Sequence, residues 1–133
     1  MLRLTLTLLL LTSAGCTSDV EQMEINALLD ARDQAISRQD ISAYSALVTS
    51  AYNDGSQTKI TVVAHLINIF GQFETTKMRS RHRQIHLLDN DQAECDQTYT
   101  LKVKAEGKWR EITGHEHLLL TRTAAGWRIS GGL

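Results

Sequence analysis

The sequence predicts an α+β fold in which helices come first and an antiparallel sheet comes last. Three observations predict it. Apolar residues recur at helical spacing from Asp19 onward, and after Phe73 the period changes to two. Three turn-forming stretches, "DNDQ", "AEGK" and "TAAG", divide the remainder into four strands joined by short hairpins. The registers those turns impose all bury the same face of the sheet.

The helices follow in order. From Asp19, residues Ile25, Leu28, Leu29 and Ile36 form one stripe, which Arg32 completes. Asp40 is placed to cap a short second helix that carries Ile41, Tyr44, Leu47 and Val48 on one side. "AYNDGSQT" ends it with a turn composition. A third helix is expected from about Lys59, burying Ile60, Val63, Leu66, Ile67, Phe70 and Phe73, with His65 beside that stripe as a partly covered surface residue.

The strands can be paired residue by residue. With Glu106 and Gly107 at the tip of the middle hairpin, Val103 faces Arg110, Leu101 faces Ile112 and Tyr99 faces Gly114. Gln97 then faces Glu116, and Cys95 faces Leu118. In the preceding hairpin Leu87 pairs with Ala93 and Ile85 with Cys95, which sets Arg83 across from Gln97 and Arg81 across from Tyr99. In the last, Leu120 pairs with Ile129 and Arg122 with Trp127, around a tip at Ala124 and Ala125.

Within "GHEH", alternation turns His115 and His117 outward with Asp96, Thr98, His82 and Gln84, and turns Glu116 inward. His82 and His115 flank Thr98 at about 10 Å, whereas zinc ligands converge at about 2 Å, so no metal site is expected. Inward, a row Arg83–Gln97–Glu116 lies beside a row Arg81–Tyr99–Gly114. Polar groups on an otherwise apolar face point to a pocket, and Gly114 opposite Tyr99 would leave space in it. The other reading is a structural Arg83–Glu116 ion pair bridged by Gln97. Both stay open.

With 133 residues, 42% hydrophobic and 22% charged, the chain has material for one core. A net charge of -1 gives no electrostatic reason to expect a nucleic-acid partner. No cofactor motif is present, so no cofactor is expected. The opening "MLRLTLTLLLLTSAGC" has a cation at Arg3 and an apolar run, Leu4 to Leu11, too short to span a bilayer, and reads as a signal peptide. Its end, "TSAGC", resembles the lipobox of bacterial lipoproteins. That resemblance implies removal of residues 1–15, a lipid on Cys16 and a domain over 16–133. With Thr17 rather than Asp next, it implies the cell envelope, the outer membrane facing the periplasm before the inner one if the host has both. The alternative is an ordinary signal cut nearby. A lipidated Cys16 could not pair with Cys95, which reads as a small core residue.

"LLDARDQAISRQDISAYSALVTSAYND", "VVAHLINIFGQF", "AECDQTYTLKV", "GHEHLLLTR" and the closing "GWRISGGL" together resemble the nuclear-transport-factor-2-like, or SnoaL-like, superfamily. The resemblance implies a cone: three N-terminal helices packed on a strongly curved antiparallel sheet, with a cavity at the wide end. By analogy Tyr52 and Asp54 stand near its mouth. The expected lining is therefore Tyr52, Asp54, Arg81, Arg83, Gln97, Tyr99 and Glu116. The superfamily includes isomerases, dehydratases, cyclases and binding modules without activity, so fold does not select function. The first expectation is a membrane-anchored, non-enzymatic module for a small ligand or a protein. The alternative is a cofactor-independent lyase or isomerase, with Glu116 or Asp54 as general base and Tyr99 donating to an oxyanion. Superfamily members often dimerise through the outer sheet face; here its polar character implies at most a weak homodimer.

Overall fold

The computed structural model describes residues 16–133; the leader, and with it the expected cleavage, lies outside the described residues, as does the Cys16 side chain. Helices α1 (Cys16–Ser37), α2 (Ile41–Leu47) and α3 (Lys59–Gln72) precede strands β1 (Thr75–Leu87), β2 (Gln92–Ala105), β3 (Lys108–Thr123) and β4 (Gly126–Gly131). The strands form one antiparallel sheet in the order β1-β2-β3-β4.

Each helix has its expected cause. α1 buries Ile25, Leu28, Leu29, Arg32, Ala35 and Ile36, a stripe at helical spacing that packs on the sheet. The Asp40 carboxylate accepts the Ala43 N–H at 2.9 Å and starts α2. The Thr61 hydroxyl accepts the Thr58 N–H at 2.9 Å and starts α3. The face of α3 differs from expectation. Val62 and Leu66 are buried, while Ile60 and Ile67 are 81% and 52% exposed. This helix carries a polar stripe, Thr61, His65, Asn68 and Gln72, with apolar residues on both flanks, so spacing alone does not choose which flank turns inward.

The β2–β3 register is the one expected at every pair from Val103–Arg110 to Cys95–Leu118. Leu120–Ile129 and Arg122–Trp127 also pair, as do Leu87–Ala93 and Ile85–Cys95. The rest of β1 does not follow. A bulge between Arg81 and Gln84, with His82 at φ 55°, slips the register by one residue, so Arg81 pairs with Thr98 and Ser80 with Tyr99. That slip turns Thr76, Met78 and Ser80 inward and Lys77, Arg79 and Arg81 outward. It also puts Arg81, not His82, beside Thr98. The outer edge of β1 is capped by α1: Ser37 Oγ accepts the Met78 N–H at 2.8 Å, and Asp33 accepts the Ser80 N–H at 2.7 Å.

Candidate functional site

α1 lies across the concave side of the sheet and brings Arg32 over Glu116. The two form a bidentate pair, Nη1 to Oε1 at 2.6 Å and Nη2 to Oε2 at 3.0 Å. Gln97 Nε2 donates to the same Oε1 at 2.7 Å, and Gln97 Oε1 accepts from Arg83 Nε at 3.0 Å. Arg83 in turn reaches Asp30 of α1 at 2.7 Å. A polar chain Asp30–Arg83–Gln97–Glu116–Arg32 thus threads the interface between α1 and the sheet. Gln97 does bridge Arg83 and Glu116, but the ion pair of Glu116 is with Arg32. Burial opposes the Arg32 charge, and the Glu116 carboxylate more than offsets this, holding the guanidinium above its ordinary pKa. Among the described residues Arg32 Nε finds no hydrogen-bond partner, so its compensation rests on Glu116.

Beside this pair is a cavity of about 350 Å³. Ile36, Val62, Leu66, Ile69, Met78 and Leu101 make its apolar wall; Arg32, Tyr44, Thr76, Tyr99 and Glu116 supply polar groups, and exposed His65 stands at the rim. Of the three tyrosines only Tyr52 donates its hydroxyl to a protein acceptor among the described residues. The buried Tyr44 hydroxyl, pushed up in pKa by burial, lies beside Arg32, which can only donate. Its O–H and that of Tyr99 are therefore uncommitted. Gly114 opens no free space: a Cβ there would stand 2.6 Å from the Tyr99 ring, which lies over the glycine.

The other expected lining residues have different places. Arg81 is on the outer face, turned there by the bulge. Arg83 and Gln97 lie behind Glu116 in the polar chain and do not line the cavity. Tyr52 is buried and bonds Asp54 at 2.7 Å and the Leu133 N–H at 2.8 Å; burial, then Asp54, pushes its pKa up to about 12. Asp54 staples a loop. It accepts the Tyr52 hydroxyl, both Ser56 donors and the Gln57 N–H, which hold it well below the usual carboxylate range. It lies outside the cavity lining. Arg32, Tyr44, Gln57, His65 and Thr76 are the polar side chains of the lining missed in the sequence. Arg32 left a signal, as a cation within an apolar stripe.

On the outer face His117 Nδ1 meets Asp96 at 2.9 Å, and His115 stands 3.9 Å from the same carboxylate. Among the described residues no group of three metal-capable side chains gathers. Cys95 is fully buried, its thiol pushed up to about 11 by burial, and so is unreactive. No described helix is long and apolar enough to cross a membrane.

No protein-family model matches the sequence, nor does any curated protein. Solved structures do match. A candidate dehydratase of the nuclear-transport-factor-2-like family from Streptomyces avermitilis superposes with TM-score 0.73 at 14% identity, over 86% of this chain and 94% of that one. A candidate scytalone dehydratase from Novosphingobium aromaticivorans gives 0.76 at 13%, over 86% and 82%. A candidate calcium/calmodulin-dependent protein kinase II association domain from Xanthomonas campestris gives 0.71 at 17%, over 95% and 94%. Identities this low carry the fold and no activity. With three helices seated on a curved four-stranded antiparallel sheet, the chain has the nuclear-transport-factor-2-like cone fold.

Proposed function

We propose that the chain is a small-ligand-binding module of the cell envelope, held at a membrane by a lipid on Cys16, and that its cavity binds without performing chemistry. The observation that carries this is the state of Glu116, the one side-chain carboxylate on the cavity wall. Both its oxygens are engaged, by Arg32 and by Gln97. Moving a proton onto it would strip the buried guanidinium of its counter-charge, and breaking such a pair costs about 3–5 kcal/mol. The leader residues 1–15 and Cys16 support the envelope location.

The ligand that suits this lining is small, since 350 Å³ is near the lower end for ligand sites, and mostly apolar. It carries an acceptor, such as a carbonyl, for the free hydroxyls of Tyr44 and Tyr99. A neutral acceptor fits better than an anion, because Arg32 is already neutralised. Thermal-shift and calorimetric screens of neutral ketones, esters and amides test this. A ligand found so is expected to bind about 2- to 10-fold more weakly to Tyr99→Phe, the worth of one hydrogen bond. Saturable binding only to organic anions would count against it.

A second reading, a lyase or isomerase, draws support from His65, whose imidazole stands at the rim with no hydrogen bond to a described residue, and from dehydratase-like neighbours. In it His65 replaces Glu116 and Asp54 as base, and Tyr99 donates to the oxyanion. Turnover of a carbonyl compound that disappears in both His65→Ala and Tyr99→Phe would favour this reading over binding alone.

A further inference from the structure

The outer face of the sheet is electrically uneven. Toward the β2–β3 turn, the register sets Lys77 beside Lys102 and Glu111, Arg79 beside Thr100 and Thr113, and Lys104 beside Trp109. Arg81 continues the same face. Five cations thus share this half-face with one acid, Glu111, which reaches Lys102 at 3.9 Å. Trp109 is 47% exposed, with the Lys77 and Lys104 ammonium groups 4.9 and 5.8 Å from its ring centre. The other half carries the acids Glu94 and Asp96, with His86, His115 and His117.

Protection of a sheet edge explains charges on β1. It does not explain Lys102 and Lys104, which lie on the central strand β2, nor an exposed tryptophan. The β1 edge is in any case already capped by Ser37 and Asp33.

We propose that this half-face docks on an anionic phospholipid surface. The outer side carries two open depressions that share Lys77, Lys102 and Glu111, so each has an acid in its lining and neither is an all-cationic seat for a single anion. Its ammonium groups are flexible point charges, suited to a field of headgroups more than to one fixed partner. Lys and Arg near an anionic leaflet are attracted in proportion to their number and lose that attraction beyond a Debye length. An indole ringed by cations has the amphipathic character that places tryptophan at headgroup depth. A long polyanion such as nucleic acid fits less well, because the face continues into Glu94 and Asp96.

The docking has a geometric consequence. The first turn of α1 stands by the β1–β2 turn, with Ser18 and Glu21 near Leu87 and Asp91, at the opposite end of β2 from Trp109. A lipid on Cys16 and a basic half-face would then hold the sheet along the membrane by its two ends, with the cavity on the side facing away. The face itself needs no lipid, so the two attachments can fail separately.

The full chain is tested with vesicles of phosphatidylcholine alone and of equal parts phosphatidylcholine and phosphatidylglycerol. Trp127 is buried, so collisional quenching by acrylamide reports chiefly on Trp109, and Trp109→Phe identifies its signal. A blue shift and a several-fold drop in quenching are expected with the anionic vesicles only, and reversal by salt. The leader would bring the chain to both vesicles alike and leave Trp109 quenchable. A triple variant Lys77→Glu, Lys102→Glu, Lys104→Glu should lose the protection while keeping its melting temperature; if it does not fold, Lys102→Glu alone should show a partial loss. Protection that ignores lipid charge, survives these substitutions, or comes from soluble polyphosphate but not from vesicles would overturn the proposal.

Discussion

Glu116 has three hydrogen bonds from two residues of different kinds, and among the described residues it is the one ion-pair partner of Arg32. Removing one member of such a pair is worse than removing both, because the survivor stays buried and unpaired. Glu116→Ala is expected to lower stability by about 3–5 kcal/mol, a large part of what a small domain has. The double variant Arg32→Met, Glu116→Leu should lose far less, as read by urea denaturation. The inward turn of Glu116 was legible, since hairpin register fixes the face of every side chain. Its partner was not, because Arg32 lies 84 residues earlier on a helix whose own pattern does not say which strand it covers. Asp54 gives a pH test at the same scale. Its folded pKa is depressed below the unfolded value of about 3.9, so its contribution is present above that pH and is lost as pH falls through the folded pKa. Asp54→Asn should therefore lower the melting temperature at pH 7, and the gap should narrow steadily below about pH 4.

Among the elements, β1 carries the departure that matters most. In "TTKMRSRHRQIHL" the charges at 77, 79 and 81 share parity with the apolar residues at 85 and 87, and no regular strand can satisfy both. The conflict was visible in the sequence. Its resolution, a bulge at His82, depends on a left-handed backbone angle that is uncommon outside glycine, though histidine enters it more readily than most residues. His82→Val should cost about 1–2 kcal/mol by denaturation, since a β-branched residue is strained there, whereas His82→Gly should be near neutral. Gly114 is the converse case: its pairing with Tyr99 was legible, but the ring that lies over it was not. Gly114→Ala must push Tyr99 off β3, so bound ligand should weaken while the far-ultraviolet circular dichroism spectrum stays unchanged. α3 illustrates a different limit. Its polar stripe, Thr61, His65, Asn68 and Gln72, has apolar residues on both flanks, so spacing marked the outward side without choosing between the Val62–Leu66 flank and the Ile60–Ile67 flank as the inward one.

At the scale of the molecule, order and class were legible because a change of period and a set of short hairpins admit few arrangements. Of the cavity wall Tyr99 and Glu116 were legible and the rest was not, because it joins residues from α1, α2, α3, β1, β2 and β3 whose convergence exists only once the helices are seated. The proposed attachment at residue 16 is tested on the whole chain. Cys16→Ala should move the protein from the membrane fraction to the soluble or unprocessed fraction, and mass spectrometry of the native N-terminus should find acyl chains only with cysteine present. The central claim concerns what the cone holds. Native mass spectrometry of the protein purified from its own host, set beside Gly114→Ala, tests it most directly. A small neutral adduct on the native chain, reduced in the folded variant, is the expected result; an equal adduct on both, or none on either, would contradict the account.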